Sequence, residues 1–141
     1  MPYREKVAWL SLIAMAVTYG PYFTLVSMSI LPTRPLPDFR QLALFGATTV
    51  VQLIILGTGH LILRTASSRE DRTPPDERDL AITRRSVGSA YNLLLGGMIL
   101  VGVIMPFTAS GWKIVHAALF MIVASEFFKF SIMVFSYRRQ A

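Results

Sequence analysis

Residues 112–137 read WKIVHAALFMIVASEFFKFSIMVFSY, a run whose only formal charges are Lys113, Glu126 and Lys129. An α-helix rises about 1.5 Å per residue, so roughly 20 apolar residues cross a hydrocarbon core about 30 Å thick. This stretch meets that length. Three others do as well: Val7 to Leu31, Phe39 to Leu63 and Val87 to Phe107. Together they use most of the 141 residues, of which 53% are hydrophobic, and the mean hydropathy is +0.51. The charged residues fall into short clusters between the runs, whereas a soluble domain spreads them over its surface. The expected fold is an all-α membrane protein, one domain over residues 1–141. Its four transmembrane helices are expected at about 7–31, 39–63, 79–107 and 112–137, with a polar loop at 64–78. Any function then lies in the bundle, on its surface or in that loop.

Orientation follows from the basic residues. Arg4, Lys6, Arg64, Arg69, Arg72, Arg78, Arg84, Arg85, Arg138 and Arg139 collect on one side, against Arg34, Arg40 and Lys113 on the other. The positive-inside rule predicts that both termini and the 64–78 loop are cytoplasmic. The net charge of +6 is thereby a topology signal. Nucleic acid is not an expected partner, because no basic surface interleaved with aromatics accompanies the charge. Arg4 and Lys6 ahead of an apolar run containing Ala14-Met15-Ala16 resemble a secretory signal. That run continues to Leu31, too long for a signal's apolar region of about 7–15 residues, and reads as a retained helix. The chain has no cysteine, which excludes disulfides and thiolate metal sites.

The breaks have local causes. Gly20-Pro21 lies near the middle of the first span, where proline removes a backbone donor and crowds the Val17 carbonyl. A kink is expected there, with Thr18, Tyr19 or a residue on another helix available to the freed carbonyl. The proline-rich stretch 32–37 connects the first two spans, and Asp38 has the chemistry of an N-cap. In the third span Gly88, Asn92 and Gly96 recur every four residues, with Ser89 and Gly97 on the adjoining stripe. That pattern suits close helix packing inside the bundle, or dimerisation. Pro106 ends this span, and the turn 108–111 makes the third and fourth helices antiparallel neighbours.

The loop holds the most organised polar segment. After Pro74-Pro75, Asp76 can cap a helix whose first turn carries Glu77 and Asp79, favoured by the helix dipole. The third helix is therefore expected to start near Glu77, before it enters the membrane. Asp76, Glu77, Arg78, Asp79, Ile82 and Arg85 form either a capped, solvated helix start or a docking surface for a cytosolic protein or acidic lipid headgroups.

Candidate chemistry is sparse. Glu126 and Lys129 are the one carboxylate and the one amine expected well below the membrane surface, where ionisable groups usually face protein or a cavity. By residue counting Gln52, Thr18 and Tyr19 lie at a similar depth to Glu126. If all point inward they form a polar binding layer around the carbonyls loosened at Pro21; the alternative is a set of structural hydrogen bonds. His60 and His116 invite a haem reading, but they sit near opposite surfaces, roughly 25 Å apart in depth. Each reads as an interfacial histidine. No cofactor and no metal is expected, and no set of residues assembles into a catalytic site. Trp9, Trp112 and Tyr137 fit interfacial anchors.

The opening Arg4-Glu5-Lys6-Val7-Ala8-Trp9-Leu10-Ser11-Leu12, the tract Tyr19-Gly20-Pro21-Tyr22-Phe23, the loop Asp76-Glu77-Arg78-Asp79 with Ile82 and Arg85, and Glu126 with Tyr137-Arg138-Arg139 occur in that order. This pattern resembles a family of small prokaryotic integral membrane proteins classed as a domain of unknown function. The resemblance implies a four-helix inner-membrane architecture and brings no catalytic residue.

Two function classes stay open. One is a non-enzymatic sensor or accessory subunit that signals through the cytoplasmic loop to a cytosolic protein. The other is a small proton- or cation-coupled homodimeric transporter using Glu126. Small four-helix exporters usually carry their carboxylate in the first span, where this chain has none. An enzyme ranks third.

Overall fold

The computed structural model describes residues 3–28, 38–67, 74–109 and 111–139. Every regular element among them is helical: α1 (Tyr3–Ser27), α2 (Phe39–Ala66), α3 (Glu77–Ile99) and α4 (Trp112–Arg138). α1, α2 and α4, and α3 together with its continuation to Phe107, are long and apolar enough to cross a membrane. α1 already begins at Tyr3, ahead of the expected Val7, and α2 runs past Leu63 to Ala66. The expected end of the first span at Leu31 and the connection 32–37 lie outside the described residues.

The caps follow from local chemistry. Asp38 Oδ1 accepts from the Gln41 amide at 3.2 Å, and Asp76 Oδ1 accepts from the Asp79 amide at 2.7 Å. Each carboxylate satisfies a donor that the first helical turn cannot pair internally. α3 does not end abruptly. It widens into a π turn at Leu100–Ile104 and tightens into a 3-10 turn at Met105–Phe107, where Pro106 has no amide to continue the ladder. Gly111, at φ 61°, turns the chain into α4 in a left-handed conformation that favours glycine.

α1 and α4 are central. α1 packs against α2 and α4, and α4 packs against α3, so α2 and α3 flank the pair. The pattern of burial is inside-out relative to a soluble protein. On α2 the buried residues are Gln41 and Gln52, while Leu53, Ile54, Leu61 and Ile62 are exposed. Such an apolar exterior matches hydrocarbon rather than water. Hydroxyls inside the helices mostly bond their own backbone, as Ser11 does to the Val7 carbonyl at 3.0 Å and Ser86 to the Ile82 carbonyl at 2.8 Å. Neither polar atom then needs water.

Pro21 does not divide its helix, and the close approach along α3 falls on one of its two small-residue stripes. α1 continues as one helix through Pro21. Thr18 Oγ1 donates to the Ala14 carbonyl and the Tyr19 hydroxyl to Thr49, so neither serves the Val17 carbonyl. The small-residue stripe of α3 does not pack inside the protomer either: a Cβ on Gly88 or Gly96 meets nothing within 4 Å, and Asn92 is exposed. Close approach falls on the adjoining stripe, where a Cβ on Gly97 lies 2.9 Å from Met121 Cγ and 3.0 Å from its Sδ.

Candidate functional site

Polar side chains gather at three depths along the central helices, and an ion pair lies apart from them. The mid-depth cluster joins α1 to α2. Thr18 Oγ1 lies 2.6 Å from Gln52 Oε1, and the Tyr19 hydroxyl donates to Thr49 Oγ1 at 3.2 Å. Gln52 is buried by this contact. Three of the residues expected to form a polar layer, Thr18, Tyr19 and Gln52, are thus brought together.

Glu126 is not with them. It lies near the midpoint of α4, and its carboxylate binds Lys129 Nζ in an ion pair along the same helix face. The Glu126 side chain is 48% exposed and that of Lys129 21%. Lys129 also lies over the Phe130 ring, 4.6 Å from its centroid. The condition for a four-membered polar layer, that all the side chains point inward, is thus met by Thr18, Tyr19 and Gln52 and not by Glu126 in this protomer. α4 is apolar nearly all round, so periodicity carries no signal for which face turns inward. Packing against α1 and α3 decides it instead.

The end carrying the termini is the basic end, and here Asp79 is the hub. Its Oδ2 pairs with Arg4 Nε at 3.1 Å, and its Oδ1 accepts from the Tyr137 hydroxyl at 2.8 Å. One carboxylate thereby ties α3 to both α1 and α4. Charge-assisted bonds of this kind are the stronger class of hydrogen bond. Beside it Glu5 is buried, with Arg138 Nε 3.9 Å away, and the Arg138 guanidinium lies 5.1 Å from the Trp9 ring centroid. Ile82 and Ser86 are buried below. The expected docking surface is accordingly divided: Asp79 and Ile82 face protein and Asp76 caps the helix, which leaves Glu77, Arg78 and Arg85 exposed.

The opposite end holds a cluster that sequence reasoning missed. His116 is buried, its Nε2–H donating to Gln41 Oε1 and its Nδ1 lying 3.3 Å from the Tyr22 hydroxyl. With Gln41 Oε1 as acceptor, Nε2 carries the proton and Nδ1 accepts from Tyr22. The Trp112 ring meets the imidazole edge-on at 5.4 Å, and Tyr22, Phe23, Phe45 and Phe120 close the cluster from three helices. His116 and Trp112 here, and Tyr137 at the basic end, lie near helix ends, as expected of interfacial residues, and are buried against neighbouring helices. No sequence spacing marked it, since Tyr22, Gln41 and His116 come from three different helices. His60 is partly buried.

Compared with known families, curated proteins and solved structures, the chain matches none.

Proposed function

We propose that this chain is a non-enzymatic subunit of a larger assembly in a prokaryotic plasma (inner) membrane, acting as a sensor or accessory component. The observation that carries the reading is the outward Glu126–Lys129 pair. Charged side chains at the centre of a membrane helix cost roughly 2.5 to 3.5 kcal/mol each on insertion scales, and they usually face protein. Here the protomer leaves the pair on its outside, so the cover comes from another polypeptide. The Asp79 hub supports the signalling half of the reading. A shift of α1 or α4 acts directly on the start of α3, where Glu77 and Arg78 are presented to a cytosolic protein. Both termini lie in the cytoplasm on this reading, following the distribution of basic residues. A topology reporter fused after residue 75 should give a cytoplasmic signal, and an external signal there overturns the orientation.

The same pair serves a second reading, a homodimeric proton- or cation-coupled transporter in which two copies bring their Glu126 residues together. Affinity purification of tagged wild type, Glu126→Ala and Lys129→Ala from native membranes separates the cases. A distinct membrane protein that co-purifies with wild type and is lost in both variants supports the subunit. Self-association with the same dependence supports the transporter. A wild-type monomer without partners sinks both.

A further inference from the structure

Glu126 and Phe135 are nine residues apart, two and a half helical turns, and so lie on opposite faces of α4. The Phe135 face is also open, and its chemistry is different. Between the basic ends of α3 and α4 runs a cleft of about 610 Å³. Its polar wall is Arg85 and Ser89 from α3 with Ser136 and Arg139 from α4. A second, largely apolar groove of about 360 Å³, formed by Trp9 and Leu12 of α1 with Val134 and Arg138 of α4, shares Ser131, Phe135 and Arg139 with the first.

Three features of this surface point to an anionic amphiphile. Neither Arg85 nor Arg139 has a described carboxylate within ion-pair distance, whereas Arg4 and Arg138 do. The Ser89 and Ser136 hydroxyls have no partner among the described residues, although Ser11, Ser86 and Ser131 all bond a carbonyl one turn back. Two guanidinium groups without a described carboxylate partner, that of Arg139 lying 5.9 Å from the Phe135 ring centroid, and two hydroxyls without a described partner thus line a space open to solvent, a donor set suited to phosphate oxygens. The third feature is the adjoining groove, whose apolar walls run from the level of Arg139 towards the middle of α4. A free anion has no use for that groove, whereas an acyl chain does.

We propose that this surface is a binding site for one anionic phospholipid: the phosphate lies between Arg85 and Arg139, with Ser89 and Ser136 donating to it, and an acyl chain lies along Trp9, Leu12 and Val134. The site is independent of the partner proposed for the Glu126 face. Basic residues at this level attract anionic headgroups with about 1 kcal/mol each, and the two arginines are here fixed on neighbouring helices.

Trp9 reports occupancy directly. The chain has two tryptophans, and Trp112→Phe leaves Trp9 as the only one. The Trp112→Phe protein is reconstituted in phosphatidylcholine nanodiscs with a small, equal mole fraction of either dibrominated phosphatidylglycerol or dibrominated phosphatidylcholine, and Trp9 quenching is measured. Phosphatidylglycerol should quench several-fold more strongly. Arg85→Gln and Arg139→Gln should each reduce that preference roughly fivefold, while Arg84→Gln leaves it intact. Ser89→Phe fills the cleft without changing charge and should also abolish the preference, so the outcome does not depend on arginine variants folding. Equal quenching by the two lipids overturns the proposal, as does a preference that survives both arginine substitutions. Relief of quenching by millimolar inorganic phosphate, with ionic strength held constant, marks a free-anion site and overturns the lipid assignment.

Discussion

The Tyr137 hydroxyl donates to Asp79 Oδ1 at 2.8 Å, joining the last turn of α4 to the first turn of α3. Arg4 holds the other carboxylate oxygen from α1. Three helices therefore meet on one side chain at the end where the chain enters and leaves the bundle.

Removing only the hydroxyl isolates this bond. Tyr137→Phe keeps the buried ring and leaves Asp79 one donor short, so it should destabilise the protein by about 1.5 to 3 kcal/mol, the range for hydrogen bonds to charged groups. Denaturant titration in detergent micelles measures the loss. In a double-mutant cycle with Arg4→Gln, the two effects should couple, because both act through one carboxylate. Strict additivity would contradict the hub.

At the opposite end the expected signature is a partial rescue. Gln41→Met leaves the buried His116 Nε2–H without an acceptor, at a cost of about 1 to 3 kcal/mol. Made in a Tyr22→Phe background, where no hydroxyl depends on His116 Nδ1, the double change Gln41→Met with His116→Phe removes donor and acceptor together. It should be more stable than Gln41→Met alone in that background, as measured by thermal unfolding. A double mutant less stable than both singles would show that His116 contributes chiefly by packing.

The glycines of α3 offer a contrast within one helix. Gly97→Ala drives a Cβ against Met121 and should cost about 1 kcal/mol, the low end for overpacking because methionine is flexible. Gly88→Ala and Gly96→Ala enter open space and should be neutral or stabilising by up to about 1 kcal/mol in the isolated protomer, since alanine favours the helix. Unfolding midpoints of the three variants check the assignment of the packed stripe.

What the sequence disclosed and what it withheld divide along a physical line. Spans, caps and the adjacency of Glu126 and Lys129 depend on residues within one or two turns. Asp38, Asp76 and the ion pair were therefore readable from composition and spacing alone. The rotation of each helix depends on its neighbours. Uniformly apolar helices such as α2 and α4 give no period from which to infer a facing side. That is why an inward Glu126 stayed a condition, the α3 stripe stayed open between packing inside the bundle and dimerisation, and the burial of His116 was not foreseen. Gln52 was placed at the right depth, and its burial against Thr18 agrees with the general rule that polar groups in lipid turn to one another.

The central claim, that another polypeptide covers the Glu126–Lys129 face, is tested most directly by photo-crosslinking in intact membranes. Ile122 lies one turn before Glu126 on the same face and is 48% exposed in the protomer, whereas Phe128 points elsewhere and is 41% exposed. A photoreactive amino acid at 122 should give a discrete protein adduct that disappears when Glu126→Ala is added, while the same probe at 128 should give lipid adducts. Lipid adducts alone at 122, unchanged by Glu126→Ala, would mean that the ion pair faces the bilayer and would contradict the claim.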